Sequence, residues 1–246
     1  QPGERGQAVF FLEKALQTPE YRPEALIWKG IEALQQQRPQ HAFVYLSNAA
    51  NALPSRADVC AMVGRSVLDQ QQPERAVQLL TAAWQQMPTD VALRISRWQA
   101  LSMTQKPENL RKRILTQLPD IDEPKELALV LGLLAAQGDA PTFVGVVRFQ
   151  PATHEAHGWA VNLRQPRSIV TMQISSNDQV TACSAELAHP LLTAAGLPSS
   201  HGGFRVRIND PGAALHAHFD DGNPAAGSPL SNLPAFAPPA PLGKNI

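Results

Sequence analysis

Gly30–Pro88 reads GIEALQQQRPQHAFVYLSNAANALPSRADVCAMVGRSVLDQQQPERAVQLLTAAWQQMP, and the second half of this stretch repeats the first. Gly30 returns as Gly64, Ala42 as Ala76, Leu46 as Leu80, Ala49 as Ala83 and Pro54 as Pro88, each 34 residues on. The same ruler runs backward to Ala8, Leu12 and Ala15. Self-similarity at a fixed period of this size marks stacked helical units, each too small to bury its apolar face alone. The residue types fit that packing. A glycine at 30 and 64 lets a second helix cross the first without a side chain between them. Ala42 and Ala76 open the contact from the second helix, and Ala49 and Ala83 carry it to the next unit. Pro54 and Pro88 stop the second helix, because proline lacks the N–H and clashes with the preceding turn.

Outward from this stretch, Gly6–Leu16 reads as the second helix of a truncated unit. The full units have helices near Glu24–Gln36 and Pro39–Leu53, then Ala57–Gln70 and Pro73–Gln86. Pro39 and Pro73 stand at helix starts, where the missing N–H is not needed. The fourth unit degrades, with Trp98 at the glycine's place, Leu110 at the alanine's and Pro119 early for the ruler. A bulky residue at the crossing point predicts wider packing there. A last helix, Pro124–Gln137, carries Leu127, Leu131 and Leu134 on one stripe and is expected to cap the solenoid.

A 34-residue unit with small residues at three fixed places and a proline at its end resembles the tetratricopeptide repeat (TPR), a helix–turn–helix module. The resemblance covers the first half of the chain and implies a binding superhelix whose groove is lined by the first helix of each unit. Carried over by register, the groove takes Glu24, Ile27, Ile31 and Gln35 from one unit. The next gives Asp58, Ala61, Arg65 and Asp69, and the third Ala92, Ile95, Gln99 and Met103. The resemblance implies a protein or peptide partner, met by Ile27, Ile31, Arg65, Asp69, Ile95, Gln99 and Met103. Some relatives of this type hold a peptide's terminal carboxylate with several Lys and Asn residues. Here Arg65 alone stands in that position.

At Pro141 the texture changes. Thr142–Phe149, His157–Asn162, Ile169–Ser175, Gln179–Cys183, Gly203–Ile208 and Ala214–Phe219 are short strand-like runs. Turn signals such as Gln165-Pro166, Asn177-Asp178 and Asp210-Pro211-Gly212 separate them. Val170, Met172 and Ile174 alternate with Ile169, Thr171, Gln173 and Ser175, the period of a half-buried strand. The crossover between Cys183 and Gly203 reads as long, with one helical turn. These features predict an Ig-like β-sandwich. The fold class is therefore α+β and multidomain: helical repeats over 1–140, a sandwich over 141–232 and a Pro-rich linker over 233–246.

Gly158-Trp159-Ala160, Gly203-Phe204 and Gly227-Ser228-Pro229-Leu230 resemble an all-β module that precedes the catalytic domain of bacterial surface-polysaccharide glycosyltransferases. The resemblance implies a region that flanks such a domain, with polysaccharide or the adjacent catalytic domain as further partners. The chain has no initiating methionine, enters the ruler mid-unit and leaves after a linker, so it reads as an excerpt, with Ile246 expected at the first strand of the glycosyltransferase domain. Trp159 and Phe204 read as core anchors. If exposed instead, they would make the sandwich a carbohydrate-binding module.

No catalytic motif, cofactor site or metal set is read from these 246 residues. His216 and His218 lie two apart and share a strand face, so with His189 or His201 they could ligate a metal and make a metal-dependent enzyme. Two solvent-side histidines are the simpler reading. Cys60 falls one turn before Gly64, a core position, and Cys183 ends a strand with no histidine adjacent. Gly202-Gly203 lacks the lysine and helix start of a phosphate loop. Ser199-Ser200-His201 lacks a nucleophile elbow's glycines. Lys plus Arg equals Asp plus Glu, at 21 each, so no basic excess points to nucleic acid. No apolar run approaches the ~20 residues that span a bilayer. The expected setting is the cytoplasm, or the periplasm if an upstream signal has been removed.

Overall fold

The computed structural model describes residues 2–53, 55–176, 179–198, 201–209 and 214–231. Pro54, the turns at Asn177-Asp178 and Asp210-Pro211-Gly212, Ser199-Ser200 and the linker from 233 lie outside the described residues, as does the side chain of Ala8. A helical N-terminal part precedes two antiparallel sheets. The chain divides into two compact units, Gln1–Leu110 and Arg111–Ile246.

The first unit contains α1 (Pro2–Gln17), α2 (Arg22–Gln35), α3 (Pro39–Ala52), α4 (Ala57–Asp69), α5 (Pro73–Gln86) and α6 (Val91–Thr104). Neighbours in sequence pack as pairs: α2 with α3, α4 with α5, and each pair on the next. The 34-residue ruler is now visible in three dimensions. A Cβ on Gly30 would fall on Leu46 Cγ, and one on Gly64 would come within 2.7 Å of Leu80 Cγ. Ala42, Leu46, Ala49, Ala76, Leu80 and Ala83 are all fully buried. Each buried leucine contributes ~1.5–3 kcal/mol. In α1 the matching Leu12 and Ala15 are only half-buried.

The turns repeat too. After α2, Arg38 N–H donates to Ala33 O at 2.8 Å and Gln37 N–H to Leu34 O at 3.0 Å. After α4, Gln72 donates to Val67 O at 3.1 Å and Gln71 to Leu68 O at 2.9 Å. These paired bonds form a Schellman cap with a left-handed residue at its centre. Gln37 and Gln71 fill that place, with φ of 55° and 59°.

The ruler fails at α6. Trp98 is buried where earlier units carry glycine. Beside it, the buried Arg97 guanidinium sits 4.3 Å from the Trp84 ring centre and 5.6 Å from that of Trp98. A cation over indole is favourable by ~0.5–2 kcal/mol. The unit ends at Leu110, the place of Ala42 and Ala76.

α7 (Pro107–Gln117) runs across the boundary, and the second unit continues with a 3-10 turn, Leu118–Asp120, and α8 (Pro124–Ala135). Then come β1 (Phe143–Gln150), β2 (Glu155–Asn162), β3 (Thr171–Ser176), β4 (Gln179–Ser184), β5 (Leu187–Ala188), α9 (Pro190–Ala194), β6 (His201–Arg207), β7 (Ala214–Phe219) and β8 (Leu230–Ser231). One sheet has order β1-β2-β6-β5 and the other β4-β3-β7-β8. The crossover expected between Cys183 and Gly203 holds both a short strand and the helical turn α9. Val147, Ala156, Ala160 and Phe204 of the first sheet share a core with Met172, Ile174, Leu215, Ala217 and Phe219 of the second.

Within the first sheet, much of β1 and β2 is buried on both faces. Val144, Val146 and Val147 in β1 are all buried, as are Trp159, Ala160, Val161 and Asn162 in β2, although successive residues point to opposite sides. The side away from the second sheet is covered by helical segments. Arg148 Nη2 donates to Pro119 O at 2.6 Å, and Ala128, Leu131 and Ala135 of α8 face Val161 and Leu163 across a small cleft. The helix expected to cap the solenoid thus belongs to the compact unit of the sheets. Its leucine stripe requires an apolar surface but does not specify which one.

Candidate functional site

The first helices α2, α4 and α6 set their residues in rows spaced by the ruler. Ile27, Ala61 and Ile95 form one row. The first two are buried and Ile95 is half-buried, so this row is floor. Ile31, Arg65 and Gln99 form the next, progressing from half-buried to exposed. Gln35, Asp69 and Met103 are exposed, Met103 at 49%. Glu24, Asp58 and Ala92 make the outermost row and are exposed. Of the expected contact residues, then, Ile27 is buried, Arg65 is partly exposed, and Asp69, Gln99 and Met103 are exposed.

Ion pairs organise this surface. Arg56, ahead of α4, donates from Nε to Asp58 Oδ1 at 2.8 Å and from Nη2 to Oδ2 at 2.6 Å. Its Nη1 reaches Glu24 Oε1 at 3.5 Å, tying adjacent units together. The hydrogen bond from Arg56 holds the Asp58 carboxyl below its usual range, against a smaller opposing effect of burial. Arg65, read from sequence as an isolated cation, lies 3.8 Å from Asp90 Oδ1. That same oxygen accepts from Leu93 N at 2.9 Å and caps α6. Sequence reasoning missed Arg56, which lies between helices, and Trp28, which is 63% exposed one turn from Ile31. The signal for Trp28 was its place in the ruler, where the third unit carries the polar Ser96.

The other candidates separate cleanly. His216 and His218 share the outer face of β7, rings 6.3 Å apart and nearly parallel, opposite Ser175 and Gln173. His201 and His189 belong to the other sheet and its crossover. Among the described residues, no three His, Cys, Asp or Glu gather where they could hold a metal ion. Cys60 packs half-buried against the helical core, and burial raises its thiol pKa. Burial pushes the Cys183 thiol up to about 11, so it is not a thiolate at neutral pH. Trp159 and Phe204 are each 3% exposed and cannot be a ligand platform. Each lies opposite a glycine, Trp159 facing Gly203 and Phe204 facing Gly158. No helix among the described residues is long and apolar enough to cross a membrane.

No protein-family model, curated protein or solved structure matches this chain.

Proposed function

We propose that the chain is a non-catalytic interaction and scaffolding region of a bacterial surface-polysaccharide assembly protein, flanking a glycosyltransferase domain. Its repeats are read as TPR-like and its sandwich as Ig-like. The observation that supports this most is the 34-residue structural repeat, in which Gly30 against Leu46 recurs as Gly64 against Leu80. Stacked units of this kind bury a continuous core and present an extended face of side chains beside it. Here that face is the row of Ile31, Arg65 and Gln99 with Asp69 and Met103 beside it. A protein or peptide segment is the partner. The polysaccharide connection rests on the resemblance of the residues around Trp159, Phe204 and Gly227.

A photo-crosslinking residue in place of Gln99 should trap one discrete protein partner, and Arg65→Glu should abolish that product. The Arg65–Asp90 pair is partly exposed, at 37% and 38%, and exposed pairs contribute ~0–1 kcal/mol, so the helical content should be largely retained. Circular dichroism checks this. An undiminished crosslink in Arg65→Glu would count against the face. Hydrolysis of a nucleotide sugar by this chain alone would refute the non-catalytic assignment.

A further inference from the structure

The second unit holds a cleft of about 350 Å³ at one end of the sandwich, bounded by α7, the Asp139–Gly145 segment and the turn after β7. Its two sides differ in chemistry. One is aromatic: Phe143 and Phe219 meet with ring centres 5.8 Å apart, Phe219 buried and Phe143 half-buried. The other is polar. Arg111 donates to the Asp139 carboxylate and, at 3.1 Å, to its main-chain carbonyl, while Asp221 and Asn223 stand exposed on the turn.

The walls are fixed by backbone bonds. Ala226 N–H donates to Gly145 O at 2.9 Å and Val147 N–H to Ala226 O at 3.0 Å, which clamps the turn to β1. Asp221 Oδ1 accepts from Asn223 N at 3.0 Å, which holds the turn's own shape. A preformed site loses less on binding than one that must be ordered.

The charge balance narrows the ligand. The cleft is lined by two carboxylates, Asp139 and Asp221, and one guanidinium, whose Nη1 and Nη2 both go to Asp139. An anion would have to compete with Asp139 for Arg111, and a neutral ligand would not. The volume lies at the low end for small-molecule sites. A ligand must offer an apolar face to the half-buried Phe143, which buried Phe219 backs, and hydroxyl donors to Asp221 and Asn223. A pyranose ring has this composition, with C–H groups on its faces and hydroxyls around its edge.

We propose that this cleft binds a neutral pyranose residue of a saccharide, one face against Phe143 and its hydroxyls bonded to Asp221 and Asn223. The site is separate from the repeat face and stands whether or not that face binds a partner. It also differs from the platform of Trp159 and Phe204, which burial rules out.

The test is a nuclear magnetic resonance titration of the full chain with the methyl glycosides of glucose, galactose, mannose and N-acetylglucosamine. At least one should shift amide resonances of residues 142–145 and 221–226. Phe143→Leu and Asp221→Ala should each weaken that binding about tenfold, equivalent to ~1.4 kcal/mol. Asp221 and Asn223 are exposed, so Asp221→Ala and Asn223→Ala keep the test valid if Phe143→Leu fails to fold. The proposal is overturned if none of the four glycosides shifts these resonances, or if the shifts map elsewhere. Binding insensitive to the substitutions also overturns it. So does binding of cationic glucosamine alone, lost in salt, which would make the cleft an electrostatic site.

Discussion

Gly64 has room for no side chain. A Cβ there would lie 2.7 Å from Leu80 Cγ and 2.8 Å from Cδ2, so α4 and α5 would have to separate. Gly64→Leu should therefore lower stability by at least ~1–3 kcal/mol, the usual range for overpacking. A thermal melt of the chain checks it, and an unchanged midpoint would refute the register. Gly132 is the control. A Cβ there meets nothing within 4 Å, so Gly132→Ala in α8 should stabilise by roughly 0.5–1 kcal/mol. His189 makes a prediction about pH. Burial, with help from Arg148 and His157, holds its pKa below the ordinary 6.5. The folded state then resists the proton that the unfolded state accepts. The associated stability is full above the unfolded value and is lost as pH falls through the folded one. The melting temperature should drop as the pH falls below the ordinary histidine value, and His189→Gln should flatten part of that drop.

Among the elements, the turns after α2 and α4 are the least expected. The repeat unit specifies that a helix ends near Gln36 and Gln70, but a Schellman cap needs a left-handed residue, and glycine is the usual one. Glutamine occupies it twice, at Gln37 and Gln71. Such a conformation costs a residue with a Cβ ~1–2 kcal/mol. Gln71→Gly should recover about 1 kcal/mol of that and raise the melting temperature, since the two cap bonds do not involve the side chain. A lowered midpoint would show that the glutamine side chain contributes more than its backbone strain removes. α8 shows the opposite limit of local reading. Leu127, Leu131 and Leu134 were legible as a buried stripe, and all three are buried. Their partner surface was not legible, because a stripe of leucines fits any apolar face of the right width.

At the scale of the whole molecule, α8 decides where a stable fragment can begin. A chain starting at Pro141, where the composition changes, would leave Val161 and Val144 without their helical neighbours. A fragment from Pro107 to Ser231 keeps α7, the 3-10 turn and α8 with the sheets. It should melt cooperatively, whereas 141–231 should be less stable and bind a hydrophobic dye. Equal stability of the two fragments would place α8 outside the sheets' unit.

The period of the first half was determined by sequence alone. Gly30, Leu46, Gly64 and Leu80 sit at fixed intervals because adjacent helices meet at fixed intervals, so a local pattern carries the tertiary contact. The alternation of Val170, Met172 and Ile174 likewise reports one buried face of β3. The rows of the candidate face followed from the same ruler, though not which members are open. Ile27 is buried and Arg65 is paired with Asp90 because neighbouring units close over them, which no single helix reports. The saccharide cleft was not legible at all. Arg111, Phe143 and Asp221 are far apart in sequence and follow no period. Only the pairing of strands and the return of the chain after β7 bring a helix, a strand edge and a turn to one place, because sheet topology is settled by non-local packing.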